Sequence, residues 1–98
     1  MKRPTKNDPE FWIGAVASDL NNVAFGIEKG GLIMANSFLN HAHSICGKIE
    51  DVKLKTHIIK RLDKKFTSIN EFEKKRLVAK YRNLSKLLVN KYIKFIQN

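Results

Sequence analysis

The chain of 98 residues predicts an all-α protein: an antiparallel, up-down four-helix bundle in a single domain spanning residues 1–98. Three observations predict it. Apolar residues recur at spacings of three and four in four successive segments, the period of one helix face. No segment shows the strict apolar–polar alternation of a half-buried strand. Two prolines and five glycines leave little punctuation for many short elements. Residues 1–7 precede the first apolar stripe and are expected to be flexible.

The first helix opens with Asp8 as N-cap and Pro9 at the first helical position, where a missing N–H costs nothing. Trp12, Val16, Leu20, Val23 and Ile27 form its stripe, and Gly30-Gly31 ends it. A second helix, from about Leu32 to Cys46, carries Ala35, Phe38, Leu39, Ala42 and Ile45 on one face before Gly47 breaks it. The third, Glu50 to Lys65, sets Leu54, Ile58, Leu62 and Phe66 four apart. The fourth begins at Ser68-Ile-Asn-Glu71, which reads as a capping box. Glu71 and Glu73 then sit at the positive end of its dipole and the lysines toward its negative end. Its seam is Leu77, Tyr81, Leu84, Leu88, Tyr92 and Phe95.

At 1.5 Å per residue the fourth helix should reach about 40–45 Å, the first roughly 30 Å and the middle two 20–25 Å. The fourth is expected to be the longest and to overhang the rest. Its last stretch, residues 87–96, is apolar around much of its circumference, the mark of a buried helix. Leu88, Tyr92, Phe95 and Ile96 are therefore expected to form an interaction surface, with a homo-oligomer as the simplest partner.

Hydrophobic residues at 43% and charged residues at 29% describe a globular chain, not a disordered one. The basic start runs into Asp8, Pro9 and Glu10 rather than an apolar core, so no secretory signal is expected. The longest uncharged stretch, Gly30 to Gly47, holds Asn36, Ser37, Asn40, His41, His43 and Ser44 and is not expected to span a membrane. One cysteine, Cys46, cannot close an internal disulfide and fits a reducing cytoplasm.

The net charge of +10 lies wholly in residues 48–98, and no acidic residue follows Glu73. A like-charged surface repels itself, so this asymmetry points to an anionic partner. AT-rich coding, which favours Lys, Ile and Asn, would also raise the lysine count. On the third helix Lys53, Lys60 and Lys64 fall at i, i+7 and i+11. On the fourth Lys75, Arg82 and Lys86 repeat that spacing, with Arg76 and Lys94 farther round. Two such faces presented together would match the phosphates of DNA or RNA. Lysines outnumber arginines 15 to 4. Lys acts as a point charge while Arg makes the bidentate base contacts, so binding is expected to be led by the backbone.

Gly30, Ala35, Leu39 and Ala42 resemble the helix–turn–helix of a tetratricopeptide repeat, where a Gly marks the turn and small residues seven apart let two helices approach. The pattern does not recur in residues 48–98, and stacked repeats need three or more copies, so the resemblance implies a helical hairpin. His43-Ser-Ile-Cys46-Gly47 is similar to the phosphoryl-accepting motif of histidine phosphotransfer domains. Cys46 occupies that motif's Lys position, which removes the cation the transfer needs. The HEPN-superfamily nucleases carry an Arg followed, after four to six residues, by a His, and none of the corresponding positions before His41, His43 or His57 (34–38 and 50–52) is Arg. His41 and His43, two apart on a helix, face different ways, and His43 with Cys46 supplies only two of the four ligands of a structural zinc site. No catalytic residue, metal or cofactor is expected.

The expectation is thus a small non-enzymatic cytoplasmic protein that meets nucleic acid through Lys53, Lys60, Lys64, Lys75, Arg82 and Lys86. The alternative is an adaptor that holds a protein partner, for example an acidic one, through its apolar C-terminal helix.

Overall fold

The computed structural model describes residues 8–92. Four α-helices follow in order: α1 (Pro9–Phe25), α2 (Leu32–Cys46), α3 (Val52–Arg61) and α4 (Glu71–Tyr92), with a π-helical turn, Gly26–Gly30, extending α1. No strand occurs among the described residues, and the helices pack as a four-helix bundle. α1 is the central member. It packs against α2 on one side and α4 on the other, while α3 packs on α2 and makes no close backbone approach to α4. The expected flexibility of residues 1–7 and the expected contacts of Phe95 and Ile96 lie outside the described residues.

The central place of α1 explains why its buried set is wider than one stripe. Val16, Leu20, Val23 and Ile27 are buried as expected, and Ile13, Ala17 and Ala24 are buried with them. Trp12 is only partly covered; Phe11 meets its ring edge-on at 4.8 Å and the Lys48 ammonium stands 4.8 Å over it. Pro9 occupies the first turn and Asp8 has extended backbone, its carbonyl accepting from the Phe11 N–H at 3.1 Å.

The rod does not end at Phe25. The Gly31 N–H reaches back five residues to the Gly26 carbonyl at 2.7 Å, a π-type bond that widens the last turn. Gly31, at φ 97°, then reverses the chain in a conformation that side chains disfavour. With this turn the first rod runs to Gly30 and equals α4 in residue count. Among the described residues α4, with 22 residues, is the longest α-helix, as expected; the expected overhang of residues 93–96 lies outside the described residues.

α2 has the bounds its pattern predicts, with Ala35, Leu39, Ala42, Ile45 and Cys46 buried. Gly26 of the π turn lies directly against Ala35, so small residues do let these two rods close up. Asp51 starts α3, its Oδ1 accepting from the Leu54 N–H at 3.1 Å.

α3 is shorter than the expected Glu50–Lys65 because its tail makes better bonds elsewhere. Leu62 turns extended (φ −79°, ψ 133°). The Asp63 N–H donates to the Tyr81 hydroxyl at 2.9 Å. Asn36 then holds Phe66 twice: its Oδ1 accepts from the Phe66 N–H and its Nδ2 donates to the Phe66 carbonyl, both at 2.8 Å. Leu62 and Phe66 still reach the core, with the Phe66 ring edge-on to Tyr81 at 6.0 Å.

α4 starts later than Ser68. Asn70 is the cap: its Oδ1 accepts from the Glu73 N–H at 2.8 Å and its carbonyl from the Lys74 N–H at 2.9 Å. Leu77, Val78, Tyr81, Leu84 and Leu88 bury the inner face. Buried Ser85 ties α4 to α1 by donating to the Ala17 carbonyl at 2.7 Å.

Candidate nucleic-acid interface

The inner face of α4 is fixed by its apolar seam, so the cations between seam residues are forced outward. Lys75, Arg76, Arg82, Lys86 and Lys91 are exposed, and Lys74 and Lys80 are half-buried. Their side chains cover the outer arc of the helix over several turns, with no carboxylate on α4 beyond Glu73.

Two acids from other elements meet this arc at its edges. On the side facing α1, the Arg82 guanidinium holds Glu28 of the π turn at 2.7 Å, and that hydrogen bond keeps the Glu28 carboxyl below its ordinary value. On the opposite side, the Lys80 ammonium lies 3.4 Å from Asp63 and 5.2 Å from the centre of the Tyr81 ring. Lys75, Arg76 and Lys86 have no acidic partner among the described residues.

All six cations singled out from the sequence are exposed, but the structure brings them together as two rows, not one face. Lys53 and Lys60 lie on α3, and Lys64 lies in the segment after it. The row of Lys75, Arg82 and Lys86 runs along the α1 side of α4, as the Arg82–Glu28 pair shows. The α3 tail meets α4 on the other side, at Lys80 and Tyr81. The two rows therefore belong to different flanks. Arg76 and Lys91 complete the α4 arc better than the α3 lysines do.

Shallow grooves follow both edges of α4. One, about 460 Å³, runs beside the π turn, with Lys75, Val78 and Arg82 facing Glu28 and Glu71. The other, about 420 Å³, lies toward the α3 tail between Arg61, Lys80, Asn83, Leu84 and Leu87. Leu88 is 0% exposed; its side chain is spent in the chain's own core and is not available to a partner as the sequence suggested. Tyr92 ends α4, and its side chain, with Phe95 and Ile96, lies outside the description.

His43 and Cys46 serve the packing of α2. The His43 Nε2 meets the Asp63 carbonyl at 2.8 Å, which fastens the α3 tail to α2. His41 is exposed and its Nδ1 lies 2.6 Å from buried Asp19. Burial raises the Asp19 carboxyl above its usual value, and His41 opposes that rise by hydrogen bonding and charge. Cys46 is fully buried, and burial, aided by the nearby Asp19 charge, pushes its thiol up to about 11. Such a thiol is a packing group. Among the described residues, no three His, Cys, Asp or Glu side chains gather as a metal ion would need.

One residue that the periodicity of the sequence does not single out is Phe72. It is 79% exposed, the most exposed of the described aromatics. It precedes Tyr81 by nine residues, half a turn out of phase with the buried seam at about 100° per residue, and that phase was its only signal.

Compared with known proteins, the chain matches no family model, and it has no significant match among curated proteins or solved structures.

Proposed function

We propose that this chain is a non-enzymatic protein that binds the phosphate backbone of nucleic acid through the outer arc of α4. The observation that carries this reading is the exposed run of Lys75, Arg76, Arg82, Lys86 and Lys91, with no acidic residue after Glu73. Cations spaced along one helix can meet several phosphates of one strand at once. Lys53, Lys60 and Lys64 form a second patch that a polymer leaving α4 could meet. The predominance of Lys favours charge-led binding over base reading.

Anisotropy titrations of labelled DNA and RNA at several salt concentrations test it. Each phosphate neutralised by a cation of the protein should lower log K by about 0.9 per decade of salt on a duplex and about 0.7 on a single strand. Reversing charge at Lys75 and Lys86 should weaken binding and reduce that slope. A flat salt dependence, or no binding by the native chain, overturns the reading.

A protein partner of acidic and apolar character is the second reading. It is favoured by Leu87, 42% exposed in the groove beside Arg61 and Lys80. A homo-oligomer joined near the end of α4 belongs to this second reading, and light scattering tests it. Among the described residues no helix is long and apolar enough to cross a membrane. A cytoplasmic setting goes with either reading, supported by the lone thiol.

A further inference from the structure

We propose that Phe72 is a base-stacking site and that the nucleic acid this chain takes is single-stranded; this rests on the backbone-binding reading above. The other aromatics with described side chains face other tasks, except Phe25, which is 46% exposed on α1 and is followed by Glu28 and a single lysine, Lys29. Phe66 and Tyr81 pack edge-on in the core, Phe11 and Trp12 pair with each other, and Phe38 packs against the core. Phe72 stands outside all of these contacts.

A lone exposed apolar side chain is ordinary. What sets this one apart is its place on α4. Residues three and four apart on a helix have neighbouring side chains, with Cβ atoms about 5–6 Å apart. Phe72 therefore has Lys75 and Arg76 beside it, one turn on, and both are exposed and without an acidic partner among the described residues. A ring flanked by two cations is the pairing that sequence-tolerant single-strand binders use: a base lies on the ring while its phosphates meet the charges. Duplex DNA keeps its base faces stacked inside, so the ring offers it nothing beyond the charge.

The surroundings also give the strand a direction. Glu71 and Glu73 flank Phe72, each about 100° round the helix, and they repel phosphate from the start of α4. The cations all lie on the C-terminal side. The strand therefore leaves Phe72 along α4 toward Lys86, over the small exposed Ala79 and the polar Asn83. The ring is steady because Asn70 caps the turn that carries it.

The test compares a short labelled oligothymidylate with a labelled hairpin duplex, using the full chain, by anisotropy at low salt. Phe72→Ala should weaken single-strand binding about tenfold and leave duplex binding within twofold. Phe72→Trp should restore it. The double change Lys75→Glu, Arg76→Glu should weaken binding to both. Circular dichroism checks that each variant folds; an exposed ring is not needed for the core. If Phe72→Ala leaves single-strand affinity within twofold while the charge reversal weakens both ligands, the stacking site is refuted and the backbone reading stands. If the native chain binds neither ligand, or the charge reversal changes nothing, both fall, and a protein partner becomes the account of the exposed ring. Tighter binding of the duplex than of the single strand also refutes the stacking site.

Discussion

Replacing Gly26 with alanine sets local preference against packing, and the structure says which wins. The residue has ordinary helical dihedrals, φ −61° and ψ −44°. Taken alone, a methyl group there favours the helix by about 0.5–1 kcal/mol. In the folded chain that methyl would stand 2.8 Å from the Ala35 nitrogen and 2.9 Å from its Cα. Ordinary contact begins near ~3.5 Å, so the rods would have to part by roughly 0.7 Å. Both obstacles are backbone atoms, which cannot rotate aside. Overpacking of this kind costs about 1–3 kcal/mol, which leaves a net loss of up to about 2.5 kcal/mol. Gly47 is the internal control. It too is helical, at φ −61° and ψ −19°, but a methyl there meets nothing closer than the Ser44 carbonyl at 3.5 Å, so Gly47→Ala should gain about 0.4–1 kcal/mol. Urea unfolding followed by circular dichroism reads both: the midpoint falls for Gly26→Ala and rises for Gly47→Ala, with the slope unchanged. If both changes stabilise, the close approach of α1 and α2 is not what requires glycine.

Two further outcomes follow from buried groups of α4 and α2. Tyr81→Phe removes one hydroxyl that serves Asp63 twice, accepting from its N–H at 2.9 Å and donating to its carboxylate at 2.8 Å. With a net ~1 kcal/mol per bond, and more for the charged acceptor, the loss should be about 2–3 kcal/mol in urea unfolding; a change below about 0.5 kcal/mol would mean that water replaces both bonds. For Cys46, a thiol pushed from 9.0 to about 11 holds about 100-fold less thiolate near pH 8 than an unshifted one. Labelling of the native protein by a thiol reagent should therefore be slow, speeding up with pH toward 11 and with urea; native labelling as fast as that of the unfolded chain would contradict the burial.

What the sequence made legible, and what it hid, divides along the range of the interactions. α2 was readable to the residue because its signals are local: Gly31 before it, Gly47 after it and small residues at helical spacing between. The early end of α3 was not, because its causes are far away in the chain. Asn36 and Tyr81 give residues 63–66 the bonds a helix would have supplied, and nothing near those residues announces either partner. Both Ser68 and Asn70 had cap chemistry, and an acid three residues on from each; in the fold it is Asn70 that makes the cap bond. The π turn left a trace only in Gly26 and Gly30, four apart, which also suits a plain helix. For the candidate site, periodicity correctly set Lys75, Arg82 and Lys86 on a common row. It could not set that row against the α3 lysines, since α3 packs on α2 and its tail reaches α4 only through bonds between residues far apart in the chain. Phe72 was hidden because apolar periodicity marks residues in phase with the core, and this one is out of phase.

The Asn36 side chain offers Phe66 one acceptor and one donor, the pair of groups that a neighbouring β-strand would offer a residue. With Tyr81 doing similar service at Asp63, residues 62–66 are secured as firmly as a stretch of sheet although their dihedrals repeat nothing. That segment, irregular by eye, should melt with the helices and not before them. A protease should therefore find the backbone at Asp63 and Phe66 held in place until the whole molecule opens, although Thr67 and Ser68 beyond it are exposed.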